Sequence, residues 1–425
     1  MKVALICNMN NNFFAIARYL RDRGVDAHLY LLGEHSHFHP SSDSYSQDYK
    51  AYTHTLDWID KGYFNNDVDN IECIRESVSD CDVLIGCGFA PFFLARSGLT
   101  LDLFLPYGSD LYQVPFDSST GLKRCFLALA FGLDRIYRRI THRDKALHVL
   151  RKLGLDNTAK DYRAYALAKY QRIGIRSAKH TLSMASGDTF KKFASQLIEP
   201  AKLSQSPIPC VYRESATDNV KLPYEEEVAK IRQNYDIVVF HHARHSWQNS
   251  PNPQSNKRND ILLRGIAEYS HSQGAKRVAL VTLEYGVDVQ ASKKLINELG
   301  IQEHVYWFPQ LNRKDIFRLI PYADIGAVDF GNSWVSGGVL YEFMSCSLPI
   351  MQIRDDAAYA DRFDSLYPIL SVDSCEDVVA GLEAFSNEPE KVRRTGREAF
   401  EWFQQHVVEQ PIELVLKQVK KSRGG

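Results

Sequence analysis

Residues 323–353 read ADIGAVDF, GNSWVSGG, VLYEFMSC and SLPIMQI in succession. The first run alternates small and β-branched residues up to Phe330 and predicts a buried strand. Gly331, Gly337 and Gly338 then allow a tight loop, and Ser336 stands where an N-cap would start a short helix. The first-turn N–H groups of Gly337, Gly338 and Val339 would be left without intrahelical partners, and with the helix dipole they favour an anion. Glu342 follows about one turn later, where a carboxylate can accept two hydrogen bonds from a vicinal diol such as a ribose. An ordinary strand-loop-helix connection with a solvated glutamate gives the same pattern.

Working back toward the N-terminus, the alternation of strand and helix continues. YDIVVFHHARH (235–245) is a β-branched run ending in a His-Ala-Arg-His turn, and WQNSPNPQSN is a Pro/Asn loop before a helix that begins near Asp260. Arg244 therefore falls at a strand end and Lys257 at a helix start after one loop. Two cations beside a helix N-terminus make a phosphate cradle, Arg binding bidentately and Lys as a point charge. As two surface cations they would carry no such role. RVALVTLEYG, HVYWFPQL and the helices between them complete a second βα series.

The first half opens in the same way. MKVALIC leads into an Asn-rich loop, a helix that stops at Gly24, and the strand AHLYLL, the opening βαβ of a parallel sheet. No GxGxxG dinucleotide fingerprint follows the first strand. Asp110 follows a strand end at Tyr107-Gly108-Ser109, a position suited either to holding a substrate hydroxyl or to capping a turn. The loop histidines His35, His37, His39 and His54 lack cysteine or carboxylate partners at ligand spacing, so a surface loop is expected there and not a metal site.

A chain of 425 residues with 44% hydrophobic and 24% charged residues points to two α/β domains. The expected boundaries are 1–210 for the first, 211–405 for the second, and 406–425 for a C-terminal helix crossing back to the first. The net charge of −1 supplies no global field for nucleic acid, and no such partner is expected. Eight scattered cysteines without a CxxC pair fit reduced thiols in a cytoplasm-like compartment. No run approaches the length of a spanning helix. Residues 121–180 stand apart, with 15 Lys/Arg against 4 Asp. Between Lys123 and Ile140, Phe126, Leu129, Leu133, Ile136, Tyr137 and Ile140 share one helical face and Arg124, Arg135, Arg138 and Arg139 another. Such a helix either packs on its domain or lies on an anionic membrane surface.

With these blocks in order, the chain resembles the retaining nucleotide-sugar glycosyltransferases of family four. VVFHHARHSWQ with KRNDILLRGIAEY is similar to that family's strand-Arg-loop-Lys block, and GGVLYEFMSCSLPIM to its Gly-helix-Glu-Pro signature. The resemblance is clearest from Tyr235 to Ile353; the first half matches in architecture alone. It implies a GT-B fold, two doubly wound Rossmann-like domains with the active site between them. Arg244 and Lys257 match the pair that binds the donor diphosphate, and Glu342 matches the glutamate that binds the ribose. Phe308 falls in the turn that meets the base, and the loop of Ser336, Gly337 and Gly338 faces the donor.

Trp334 stands where the family has its first glutamate, eight residues before Glu342, so contact to the donor sugar must come from elsewhere, Asp329 or the 336–338 amides. Tyr107 stands where the family often has histidine. The resemblance implies transfer of a sugar from a nucleoside-diphosphate sugar to a carbohydrate or lipid-linked acceptor, without metal or other cofactor. The setting expected is cytoplasmic, peripheral to the inner face of a membrane. A sugar-nucleotide epimerase or hydrolase, or a non-catalytic binding protein with a decayed site, shares the same fold.

Overall fold

The computed structural model describes all residues except 34–37, 57–71, 117–119, 142–144, 184–187, 215–223, 252, 334 and 422–425. Strands form where aliphatic and β-branched residues run without interruption. Those at the sheet centres are buried along almost their whole length, as in Ile237–His241, because helices cover both faces of a parallel sheet.

The chain divides into two compact units: Met1–Ser41, Ser46–Tyr212 and Val408–Gly425 form unit 1, and Ser42–Tyr45 with Arg213–Val407 form unit 2. Unit 1 holds β1 (Lys2–Ile6), β2 (Asp26–Leu31), β3 (Thr53–Thr55), β4 (Val83–Gly86), β5 (Leu103–Phe104), β6 (His180–Ser183) and β7 (Leu203–Gln205). They pair in the order β3-β2-β1-β4-β5-β6-β7, every pair parallel. The last helix, Gln410–Lys421, buries Ile412, Val415 and Val419 in the core of this unit.

Unit 2 holds β8 (Ile237–His241), β9 (Val278–Glu284), β10 (Val305–Pro309), β11 (Ile325–Ala327), β12 (Ile350–Gln352) and β13 (Leu370–Ser371). Their order is β10-β9-β8-β11-β12-β13, again all parallel. In each sheet the strand order reverses once, between β1 and β4 and between β8 and β11. Just beyond the carboxyl ends at such a reversal, an open α/β sheet leaves a crevice for ligands.

Two glycines set the backbone at the β8/β11 reversal. A Cβ on Gly326 of β11 would lie 2.5 Å from the Phe343 ring, so only glycine lets helix Gly338–Ser345 pack this closely on the sheet. A Cβ on Gly331 would run into the carbonyl of Asn256, which brings the loop carrying Lys257 against the end of β11.

The predicted helix from Ser336 begins two residues later, at Gly338, with Gly337 preceding it and no side-chain cap. The segment rich in basic residues forms helices Gly121–Thr141, Ala146–Lys152 and Asp156–Ser177.

Candidate functional site

At the β8/β11 reversal of unit 2 lies a pocket of about 240 Å³. It is lined among others by His242, Arg244, Lys257, Asp329, Ser336, Gly337 and Gly338. β8 delivers His242 and Arg244, β11 runs into Asp329, and the loop before helix Asn259–His271 delivers Lys257. Helix Gly338–Ser345 opens on the same pocket, so its unpartnered first-turn N–H groups and positive dipole end add to the two cations.

The loop after β8 is pinned from below by buried histidines. His241 Nδ1 donates to the Ala327 carbonyl at 2.9 Å, which leaves Nε2 to accept from Asn259 Nδ2 at 2.8 Å. Asn259 Oδ1 in turn accepts from Ser246 N at 3.0 Å. His245 bridges the hydroxyls of Ser292 and Thr282, each at 2.9 Å. Burial holds both rings neutral, pushing His241 down to about 4 and His245 down to about 3. Asp288 gathers the N–H groups of Trp247, Gln248 and Asn249 at 2.6–3.1 Å. With that loop fixed, Arg244 is left exposed at the pocket, its guanidinium making no ion pair among the described residues.

Lys257 differs from a free cation. Its backbone N–H donates to Ser246 O at 2.6 Å and its carbonyl accepts from Phe330 N at 3.2 Å, while its ammonium pairs with Asp329. Asp329 also accepts the N–H groups of Gly331 and Asn332 at 2.9 and 3.2 Å. The net positive field of the pocket therefore comes from Arg244 and the helix start, with Lys257 held in place by its carboxylate.

Glu342 is 5% exposed and does not line the pocket. Its Oε2 lies 2.5 Å from His242 Nε2 and its Oε1 accepts from Arg313 Nε at 2.6 Å. Arg313 Nη1 continues to Asp43 Oδ2 at 2.5 Å. Burial alone would push the Glu342 carboxyl up, but Arg313 and His242 outweigh it and hold it at about 2. Glu342, read from the sequence either as a diol-binding carboxylate or as a solvated glutamate, is in this structure a buried member of an ion network that ends on His242. The other ring nitrogen, Nδ1, is buried without a hydrogen-bond partner among the described residues, and His242 itself lines the pocket.

The remaining predicted residues separate. Phe308 lies within β10, paired with Leu283, and is 2% exposed. The expected turn is a strand because VYWFP continues the pairing along β9. Asp110 belongs to unit 1, where its carboxylate accepts from Gly88 N and Gly108 N at 2.9 Å and Tyr107 N at 3.2 Å. Burial raises it to about 7 against those donors, and in this structure it ties the ends of β4 and β5 together. Trp334, His35 and His37 lie outside the described residues. His39 bonds Ser41 and His54 bonds His28, and no metal-binding cluster of three side chains forms among the described residues.

His242 and Arg313 were missed by residue-pattern reasoning. The His-Ala-Arg-His turn was a visible signal for the first; nothing in the sequence distinguishes Arg313 from its neighbour Lys314.

No family model matches the chain, and no curated protein matches it in sequence. Solved structures match over its full length. HepE of Anabaena in complex with UDP and glucose aligns at 12% identity with a TM-score of 0.56, covering 99% of this chain and 100% of that one. The chain has a GT-B-like fold. Sucrose-phosphate synthase of Thermosynechococcus elongatus shares this fold at 10% identity and a TM-score of 0.53, over 99% of this chain and 98% of that one. So does UDP-GlcNAc 2-epimerase of Neisseria meningitidis bound to UDP-GlcNAc, at 10% identity and a TM-score of 0.53, over 99% and 100%. The GT-B-like fold is thus shared with a structure solved with UDP and glucose and with an epimerase solved with UDP-GlcNAc.

Proposed function

We propose that the chain is a retaining glycosyltransferase, similar to those of family four, that binds a nucleoside-diphosphate sugar in the unit 2 pocket and passes the sugar to an acceptor hydroxyl. The observation that carries this reading is the convergence of Arg244, Lys257 and the start of helix Gly338–Ser345 on one pocket. A departing diphosphate gains negative charge as the glycosidic bond breaks, and preorganised cations and N–H dipoles stabilise that charge without reorganising. Arg244 is the exposed bidentate clamp, Lys257 the fixed charge held by Asp329, and the amides of Gly337 and Gly338 the dipolar wall. Glu342 enters through His242, whose ring it orients. The neighbours solved with UDP and with UDP-glucose support a nucleotide-sugar ligand, and the acceptor is a carbohydrate or a lipid-linked sugar.

One observation favours a second reading, a sugar-nucleotide epimerase. His242 lines the pocket with Nε2 against Glu342 and Nδ1 without a hydrogen-bond partner among the described residues, and a ring nitrogen placed to act as a base is what removal of a C–H proton needs. Product analysis separates the two. Incubation with a panel of nucleotide sugars, with and without acceptor glycans, followed by NMR of the sugar region, should show transfer only when acceptor is present. An epimerised sugar nucleotide formed without acceptor would replace the transferase reading.

A further inference from the structure

Helix Gly121–Thr141 of unit 1 turns an apolar stripe to solvent. Leu122, Phe126, Leu129, Leu133, Ile136 and Ile140 recur at alternating spacings of four and three residues and are 90, 48, 65, 61, 59 and 74% exposed. The face packed on the unit is a different one, made by Leu127, Phe131 and Asp134. The stripe is therefore no part of the core, although a helix normally buries its apolar side. Phe126 and Leu133 also line a groove of about 340 Å³ shared with Tyr137, Val149 and Leu150.

The charge around the stripe is one-sided. Arg124, Arg135, Lys145 and Lys152 are exposed. Of the nearby acidic residues, Asp134 is buried and accepts from Lys145 N at 2.7 Å and Tyr162 OH at 2.8 Å, and Asp161 pairs with Lys123 at 2.7 Å, while Asp156 stays exposed at the start of helix Asp156–Ser177. Lys145 Nζ sits 4.8 Å from the centre of the Tyr137 ring at the mouth of the groove.

We propose that this face docks unit 1 on an anionic lipid bilayer, with the helix lying in the interfacial plane and its stripe among the acyl chains. Among the described residues no helix is long and apolar enough to cross a membrane, so the attachment is to one surface. Apolar burial and attraction to anionic headgroups act together in such a helix. A second copy of the chain is a poorer occupant, since the 15 Lys/Arg against 4 Asp of residues 121–180 would meet their own like. The proposal goes beyond the transferase reading and holds whether or not that reading does; joined to it, it selects an acceptor presented at a membrane.

Vesicle sedimentation tests it with phosphatidylcholine vesicles that contain or lack phosphatidylglycerol, at low and high salt. The full chain should bind the anionic vesicles at low salt and release as salt shortens the Debye length. Arg124→Gln and Arg135→Gln should each weaken binding roughly fivefold, and Leu129→Asp with Ile136→Asp should abolish it while circular dichroism stays unchanged. A polarity-sensitive dye on Leu133→Cys should shift to the blue with anionic vesicles only. Absence of binding at low salt, or binding indifferent to the aspartates, overturns the proposal. So does a dimer in light scattering that Leu129→Asp dissociates, which would make the stripe a contact between copies.

Discussion

His242 Nε2 lies 2.5 Å from Glu342 Oε2, and the opposite nitrogen of the same ring, buried in the wall of the pocket, has no partner among the described residues. A buried polar atom left unpaired costs about 1–3 kcal/mol, and such a cost is met most simply when a ligand supplies the missing bond.

His242→Gln separates the two nitrogens, because a Gln side-chain amide can keep the contact to Glu342 while lacking Nδ1. Nucleotide affinity should fall by roughly 0.5–1.5 kcal/mol with the melting temperature nearly unchanged. Calorimetry and thermal melts on one preparation check both halves; unaltered affinity would make Nδ1 a structural defect and not a ligand contact.

Arg313 pairs with two buried carboxylates, Asp43 and Glu342, each 7% exposed or less. Arg313→Met should destabilise by roughly 3–5 kcal/mol, because it leaves uncompensated buried charge. Adding Asp43→Asn and Glu342→Gln to that variant should recover part of the loss. Urea melts of the single and triple variants measure the difference, and a loss below about 1 kcal/mol in the single variant would mean the network is solvated.

Acid should act on this same region. Glu342 is held at about 2 in the fold against roughly 4.3 when unfolded, so its contribution is complete above the unfolded value and is lost as pH falls toward 2. His241 and His245, depressed to about 4 and about 3 by burial, remain neutral in the fold while the unfolded chain takes up protons below about 6.5, so stability falls with pH there as well. Asp110, raised to about 7, has the opposite sign, its contribution fading as pH rises through that value. Melting temperatures across pH should therefore drop below about 6, and Glu342→Gln should flatten the most acidic part of the curve. An identical acid limb in that variant would contradict the assigned charge.

The alternation of apolar runs and turn residues was enough to find the strands that frame the site, because a buried parallel strand needs an unbroken aliphatic run, as in IVVFH, whatever its partners. Arg244 and Lys257 were legible for a related reason: cations directly after a strand and directly before a helix can only lie at the sheet's carboxyl edge. What stayed hidden depends on distant partners. Glu342 looks solvated until Arg313 and His242, 29 and 100 residues away, are seen on its two oxygens. Lys257 looks free until β11 brings Asp329 beneath it. The stripe on helix Gly121–Thr141 was readable as amphipathic, but periodicity carries no sign, and only the packing of Leu127 and Phe131 shows which face points outward.

The packing of the site helix gives a local test. Gly326→Ala places a methyl 2.5 Å from the Phe343 ring, and overpacking of this kind costs about 1–3 kcal/mol. Gly326→Ala with Phe343→Leu should recover much of it, read from urea midpoints; a neutral single variant would mean that the helix stands farther from β11.

Calorimetric titration of nucleoside diphosphates into the chain and its Arg244→Ala variant bears most directly on the pocket. Arg244 is exposed and unpaired among the described residues, so its removal leaves the fold intact and takes away only the clamp. At least one nucleoside diphosphate should bind, and the variant should bind it about 1.5–3 kcal/mol more weakly, the range of a charge-assisted hydrogen bond. A chain that binds none of them, or a variant that binds as well as the parent, contradicts the assignment of this pocket to a nucleotide sugar.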